Sequence, residues 1–235
     1  MRALSSHIAD CNSLPIERQI DLLSQWDIFK LYGISNYSVE GRIAAATAAR
    51  DRLIAFLATI CDDPEQLRTK LRDARSVISG SSTLPLLDPA TTFTPKNINI
   101  YCPVDTWDDL STSLADITHA QLTLEIISDG LPPSIISTEP IVTYLPLGAS
   151  CRRVLTTPST TIDIIGSCTP SALFPIAHFD NTLTMNVVSA DAFIVPYPST
   201  FSDVSASTLQ SSKDSEHRGK IVWQSLGLGC KQAKV

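Results

Sequence analysis

The sequence predicts an α+β fold, and three observations support this class. Apolar residues recur at helical spacing over roughly the first 75 residues. From Val77 onward the chain changes to short runs rich in Val, Ile, Thr and Tyr, which are typical of strands. Hydrophobic residues make up 43% of the 235-residue chain, which is enough for the core of one domain of ordinary size. Helices that precede mixed strands and helices are characteristic of the α+β class.

The first predicted helix has Ser13 as its N-cap. Pro15 follows in the first turn, and Glu17 places an acid near the positive end of the helix dipole. An apolar stripe continues through Leu23. Gly33 is expected to break this helical pattern.

A longer, Ala-rich amphipathic helix is predicted from Ser38 to Ile60. Its expected apolar face comprises Ile43, Ala46, Leu53, Phe56, Leu57 and Ile60. Asp63 and Pro64 end this helix and start the next one. The apolar face of that next helix comprises Leu67, Leu71 and Ala74.

Short strands are predicted at residues 76–79, 98–102, 141–145, 151–157 and 161–167. The last two are expected to form a hairpin around a turn at Pro158 and Ser159. Between the strands, Thr106 with Asp109 three residues later resembles a capping box and predicts the start of a helix. Residues 171–190 are expected to form another helix, followed by a strand-like run at its end.

The net charge of −6 and the pI near 5.1 argue against a protein that coats nucleic acid or an anionic membrane. No apolar run approaches the ~20 residues that a membrane span needs. The N-terminal run "MRALSSHIADCN" lacks the apolar core of a secretory signal. We therefore expect no membrane association, no nucleic-acid partner, and a cytoplasmic or nuclear location.

The cysteines and histidines show no metal-binding pattern. The six cysteines never occur as C-x-x-C, and the four histidines lack helical i,i+4 pairing and nearby cysteines. We expect ordinary, buried or partly buried thiols and no zinc site.

A few polar residues stand out among the predicted strands. Asn97 and Asn99 share one face because strand side chains alternate with a period of two. Gly80-Ser81, taken alone, indicates a turn. Asp163 lies in an otherwise apolar strand, so it lines a cleft, makes a structural hydrogen bond or ion pair, or is exposed. Arg152 and Arg153, on the predicted partner strand, are candidates to neutralise it or to bind an anion.

In their order, three segments resemble the nucleotidyltransferase superfamily. They are "VISGSSTL" at 77–84, "NINIYCP" at 97–103, and "TIDIIGS" at 161–167 leading into 175–193. The chain is more similar still to a group of fungal proteins that combine an F-box-like helical N-terminus with a degenerate domain of that fold. The resemblance covers residues 65–200 and implies N-terminal helices packed on a mixed sheet with flanking helices.

The resemblance also implies site residues. In the superfamily, a Gly-Ser pair at a helix start binds phosphates, and three acids from two strands bind divalent metal. Gly80 and Ser81 then correspond to the nucleotide-binding pair, and Asp163 to the third acid. Asn97 and Asn99 stand where the family has the two other acids, and an amide is a weak ligand for Mg²⁺. The resemblance thus implies a catalytically degenerate nucleotidyltransferase-like protein that acts as a binding or regulatory module.

Two alternatives stay open. The first is an active metal-dependent nucleotidyltransferase that uses Mg²⁺ and a nucleoside triphosphate. Asp163 would then be catalytic, with a second acid from Asp88, Asp105 or Asp180. The second alternative is an F-box-like adaptor that binds a protein partner through the N-terminal helices, since residues 14–38 resemble an F-box in spacing. The expected organisation is a helical, F-box-like region at 1–64, a nucleotidyltransferase-like domain at 65–200 and a polar, flexible tail at 201–235.

Overall fold

The computed structural model describes residues 14–128, 145–197 and 224–227. The chain has an α+β fold with helices on an eight-stranded mixed sheet. The helices are α1 (Ile16–Leu23), α2 (Ile28–Ser35), α3 (Val39–Leu57), α4 (Pro64–Asp73), α5 (Leu84–Leu87) and α6 (Val104–Thr118). The strands are β1 (Val77–Ser79), β2 (Asn97–Pro103), β3 (Gln121–Ile127), β4 (Ala149–Thr156), β5 (Thr161–Ser167), β6 (Val187–Ser189), β7 (Ala192–Val195) and β8 (Gln224–Gly227).

Some predictions fall outside the described residues. These are the Ser13 cap, residues 141–144 of one predicted strand, and the tail at 201–235 apart from 224–227. Those four residues form β8, which pairs with β7. Within the described residues, none of the helices combines the length and the apolar composition needed to cross a membrane.

The boundary between the first two helices differs from the prediction. α1 ends at Leu23 and α2 runs through Gly33, so the interruption lies at residues 24–27. The carboxylate of Asp27 causes the restart, because it accepts hydrogen bonds from the backbone N–H groups of Phe29 (3.0 Å) and Lys30 (2.9 Å). The expectation that Gly33 breaks the helix was wrong, since a local cap outweighed a single glycine.

α3 follows its predicted N-cap, but its buried face differs from the prediction. The Ser38 hydroxyl accepts a hydrogen bond from the Gly41 N–H at 2.9 Å. Ile43 was expected in the core and is 51% exposed. The buried face comprises Gly41, Ala44, Ala45, Ala48, Ala49, Leu53 and Leu57. In an alanine-rich helix several faces are apolar, so periodicity alone does not identify the buried face. α3 packs against α1 and α2 through a face of small residues.

The sheet has the strand order β3-β4-β5-β2-β1-β6-β7-β8. β2 and β5 run parallel at its centre, and the other pairs are antiparallel. The predicted hairpin is present as β4 and β5. β3 and β7 were not predicted. β3 is an edge strand whose side chains are mostly exposed, although residues 121–126 alternate polar and apolar side chains.

Two helical expectations need correction. Residues 171–190 form no α-helix but two short 3₁₀ turns, Ile176–His178 and Thr182–Thr184, before β6. α6 begins at Val104, and Thr106 is not its cap. The hydroxyl of Thr106 donates to the carbonyl oxygens of Ala74 (2.9 Å) and Pro103 (3.1 Å) instead.

The two faces of the sheet have different roles. Ile98, Ile100, Ile162 and Ile164 point into one large core that also contains buried residues of α1 to α4. On the opposite face the alternate residues form a smaller apolar cluster, which includes Tyr101 and Ile165, packed with Ile176. Because side chains alternate along a strand, Asn97, Asn99 and Asp163 belong to this second face.

Candidate functional site

The second face of the sheet carries a polar cleft where β2 and β5 lie side by side. In their parallel register Asn99 is opposite Asp163, and Asn97 is opposite Thr161. Asp163 is 6% exposed, whereas Asn97 and Asn99 are half-buried. The structure therefore brings these predicted site residues together on one surface.

A hydrogen-bonded chain joins the three side chains. The Nδ2 atom of Asn97 donates to Oδ1 of Asn99 at 2.8 Å and to Oδ2 of Asp163 at 2.9 Å. The amide nitrogen of Asn97 thus faces the carboxylate. This orientation presents a donor to Asp163, which is the opposite of what a second carboxylate would present at the same position.

Arg152 completes the chain from β4. Its Nε and Nη2 atoms both donate to Oδ1 of Asp163, at 3.0 Å and 2.8 Å. The side chains of Arg152 and Asp163 are 21% and 9% exposed, so this ion pair is largely removed from water. Of the readings left open for Asp163, two hold together: its side chain lines a cleft and forms an ion pair.

Arg153 lies on the other face of β4 and does not take part. Its guanidinium donates to Glu125 and Asp108, both at 2.6 Å. Its Cζ atom lies 4.1 Å from the centre of the Trp107 ring. These groups raise the pKa of Arg153, although burial acts in the other direction. The alternation of β4 therefore separates two adjacent arginines into a cleft residue and a residue of the helix-covered face.

Gly80 lies beside the amide pair, at the end of β1. Ser79 is opposite Asn99 in the β1–β2 register. Gly80 has a positive φ of 81°, and a Cβ atom added there would lie 2.8 Å from Nδ2 of Asn99. Glycine is thus required both by the backbone conformation and by the approach of Asn99.

Gly80 and Ser81 do not line the cleft. They open a 3₁₀ turn, Gly80–Thr83, that leads into the single turn of α5. Hydroxyl groups of this turn bond internally: Ser82 donates to the Ser79 carbonyl (3.2 Å) and Thr83 to the Gly80 carbonyl (2.8 Å). The predicted nucleotide-binding pair is therefore next to the site residues but is not part of the cleft surface.

The cleft has a volume of about 580 Å³. Its lining comprises Asn97, Asn99, Tyr101, Pro146, Leu147, Arg152, Asp163, Ile165, Pro175, His178, Phe179, Asp180, Asn181 and Thr184. The lining combines amide, hydroxyl and charged groups with apolar side chains. The volume lies within the range of small-molecule sites.

One of the three acids considered as partners of Asp163 shares this cleft, and it is Asp180. Asp105 pairs with Arg75 at 2.5 Å. The carboxylate of Asp88 accepts a hydrogen bond from the Ala90 N–H at 2.9 Å. The two latter residues therefore do not contribute to the cleft surface.

Sequence reasoning missed the wall formed by His178, Phe179 and Asn181. The segment that contains them was included in the resemblance, but it was expected to be helical. Two residues in the sequence, Pro175 and Asn181, were available as signals for a turn. In the structure, the side chain of Asn181 accepts a hydrogen bond from the Leu183 N–H at 2.9 Å. His178 packs edge-on against Phe174, with ring centres 4.9 Å apart.

In the described part of the chain, no group of three or more His, Cys, Asp and Glu side chains is arranged to hold a metal ion. The donor set of the cleft explains this result, because two amides and one cation surround a single buried carboxylate. Comparison of the chain with family models, curated proteins and solved structures gave no match.

Proposed function

We propose that this protein is a catalytically degenerate member of the nucleotidyltransferase fold, and that its cleft is the ligand site of a binding or regulatory module. The observation that carries the proposal is the hydrogen bonding of the Asp163 carboxylate. Both of its oxygens are engaged by protein donors, Oδ1 by Arg152 and Oδ2 by Asn97.

Two-metal phosphoryl transfer needs several carboxylate oxygens that bridge and charge-balance the cations. In this cleft the positions beside Asp163 hold Asn97 and Asn99, which carry no charge. The guanidinium of Arg152 already neutralises the one buried carboxylate. A divalent cation would have to displace Arg152 and would gain weak amide ligands in exchange.

The cleft itself supports ligand binding. It has the volume of a small-molecule site, and its polar groups converge from β2, β4, β5 and the turns before β6. The network between Asn97, Asn99, Asp163 and Arg152 also fixes these side chains before a ligand arrives, which lowers the entropy cost of binding.

A thermal-shift titration with ATP, in the presence and absence of Mg²⁺ or Mn²⁺, tests the loss of catalysis. We expect any stabilisation by ATP to be the same with and without the metal, because Arg152 occupies the carboxylate that a metal would need. The titration is repeated with Asp163→Asn.

Asp108→Asn is the matched control, since Asp108 also pairs with an arginine of β4 but lies outside the cleft. Metal-dependent stabilisation that is lost in Asp163→Asn and kept in Asp108→Asn would show an active metal site. In that case Asp180 is the first residue to test as the second acid.

A second candidate function, an F-box-like protein adaptor, is favoured by the exposed apolar side chains of the N-terminal helices. In this part of the described chain, the large apolar residues with more than a third of their surface exposed are Leu14, Ile16, Leu22, Tyr37, Val39 and Ile43. F-box-like motifs bind their partners through exposed apolar residues of short helices. Leu22 is 49% exposed and its neighbour Leu23 is fully buried. Of these two leucines, Leu22 is therefore the one that a partner can contact.

A pull-down with a purified ubiquitin-ligase adaptor tests this candidate. If it is correct, Leu22→Ala reduces adaptor capture without a change in melting temperature. Leu122→Ala, at another exposed leucine on the edge strand β3, serves as the control and keeps capture intact. Equal capture by the wild type and Leu22→Ala, or no capture by any variant, excludes this mode of binding.

A further inference from the structure

The charged groups of the cleft are few and unevenly placed. Its lining contains the carboxylates of Asp163 and Asp180 and the guanidinium of Arg152, with His178 as a further titratable group. The carboxylates of the cleft thus outnumber its guanidinium by two to one. A strongly anionic ligand meets a net negative surface.

The arginine of the cleft already pairs with an anion inside the protein. Two of its three guanidinium nitrogens donate to the same oxygen of Asp163. If a phosphate group took over these donors, Asp163 would remain at 9% exposure without its cation. Leaving a buried carboxylate unpaired is strongly unfavourable, so Asp163 competes with any anionic ligand for Arg152.

The remaining groups suit an uncharged molecule. The amides of Asn97, Asn99 and Asn181 and the hydroxyl of Thr184 offer both donors and acceptors. The lining also includes the apolar surfaces of Pro146, Leu147, Pro175 and Phe179. This combination suits a ring compound that has both hydrogen-bonding groups and an apolar face.

We infer that the Arg152–Asp163 ion pair makes this cleft select ligands by their charge. The cleft binds an uncharged ring compound and rejects its phosphorylated forms. This inference rests on the proposed binding function and names the chemical class of its ligand. Nucleosides are the simplest compounds with these properties, and their phosphates provide analogues that differ in charge alone.

Isothermal titration calorimetry with adenosine, uridine and their mono- and triphosphates tests the inference. The titrations are done in EDTA at mildly alkaline pH. For the wild type we expect at least one nucleoside to bind at least about tenfold more tightly than its monophosphate, with the triphosphate weaker still. Binding of the nucleoside should depend little on salt, because no charge on the ligand is involved.

Asp163→Asn removes the competing charge and keeps the size of the side chain. It should raise the affinity for the monophosphate at least about tenfold relative to the nucleoside. Asp180→Asn removes the more exposed carboxylate and should give a smaller rise in the same direction, which keeps the test available if Asp163→Asn does not fold. Asp108→Asn, outside the cleft, should leave the order of affinities unchanged.

The outcomes separate this inference from the proposed function. If the wild type prefers the phosphorylated compounds, if neither nucleoside binds, or if Asp163→Asn behaves like Asp108→Asn, the charge selectivity is overturned. ATP binding without metal that exceeds nucleoside binding overturns the selectivity but leaves a metal-free binding module in place. In the thermal-shift titration, ATP binding that requires Mg²⁺ and is abolished in Asp163→Asn overturns the proposed function as well.

Discussion

Gly80 is the residue through which β1 meets the amide pair of the cleft. Its φ of 81° lies in the left-handed region, and Asn99 occupies the space that a side chain would need. Two separate constraints thus act at one position, and they can be measured separately.

Gly80→Ala should lower the free energy of unfolding by about 2–3 kcal/mol. The left-handed backbone conformation accounts for about 1–2 kcal/mol of this loss, and the contact with the Asn99 amide accounts for the rest. Urea denaturation of Gly80→Ala, Asn99→Ala and the double variant separates the two contributions. The double variant should recover the steric part. A free energy of unfolding for Gly80→Ala equal to that of the wild type would show that the conformation at Gly80 is different.

The cysteines of the core should be unreactive in the native state. Burial raises the pKa of the Cys102 thiol to about 12 and also raises the pKa of Cys151. The change at Cys102 from the ordinary value of 9.0 leaves about a thousandfold less thiolate near pH 8. Alkylation with iodoacetamide, mapped by mass spectrometry, should label the exposed Cys168 long before Cys102. Labelling of Cys102 at a rate similar to that of Cys168 would contradict this arrangement.

The sequence predicts which site residues share a face of a strand, because side chains alternate between the two faces. It predicts little beyond that. Alternation placed Asn97 and Asn99 on one face, and the structure agrees. That Asp163 lies next to them depends on the pairing of β2 with β5, which the resemblance implied and alternation could not supply. The selection of Arg152 over Arg153 depends on which face of β4 carries the cleft, and both arginines satisfied the same local pattern.

At the level of elements, α4 is fixed to the sheet by a cluster of charges around Asp191. Arg68 donates to the Ala190 carbonyl at 2.7 Å and to Asp191 at 3.0 Å. Arg72 donates to the same carboxylate at 2.7 Å and 2.6 Å. The Arg68 side chain is only 8% exposed, so the helix depends on this anion in the turn between β6 and β7.

Asp191→Ala should lower the free energy of unfolding by about 2–4 kcal/mol, because it removes the carboxylate that Arg68 and Arg72 share and leaves the buried guanidinium of Arg68 with Glu65 as its other acidic partner. Asp105→Ala is the matched control. It removes an ion pair with Arg75 whose side chains are 61% and 54% exposed, and it should cost less than about 1 kcal/mol. The measurement is urea denaturation of both variants, and equal effects would refute the role of burial.

Elements with strong local signals were predicted, and elements that depend on the rest of the fold were not. Asp63 caps α4 as expected, accepting from the Gln66 N–H at 2.9 Å, and β5 has the predicted bounds. β3 was missed although Gln121, Thr123 and Glu125 alternate with leucine and isoleucine, which is the pattern of a strand. The segment 171–190 contains enough apolar residues for a helix, but its turns are fixed by packing against Tyr101 and Ile165.

Considered as a whole, the described chain has one principal core that extends from the N-terminal helices to the sheet. Arg52 of α3 adds a polar link from the N-terminal helices to α5. It donates to the carbonyl oxygens of Leu86 (2.9 Å), Ser24 (3.1 Å) and Trp26 (2.6 Å). Burial lowers its pKa to about 10, a value at which it still carries its charge near neutral pH.

Because of this shared core, the helices and the sheet should unfold together. Trp26 reports on the helices and Trp107 on the face of the sheet that α6 covers. Two variants are made in a Trp223→Phe background, and each retains only one of these tryptophans. In each variant, the urea midpoint from fluorescence should equal the midpoint from circular dichroism. Separate fluorescence and dichroism transitions would indicate two independently stable units.

For the whole molecule, we propose that an internal ion pair takes the place where an active nucleotidyltransferase would hold metal ions. Titration of Mn²⁺ into the protein, with free Mn²⁺ followed by electron paramagnetic resonance, measures this directly. We expect no Mn²⁺ to bind at the cleft up to millimolar concentrations, either in the wild type or in Asp163→Asn. Stoichiometric Mn²⁺ binding that disappears in Asp163→Asn and persists in Asp108→Asn would contradict it.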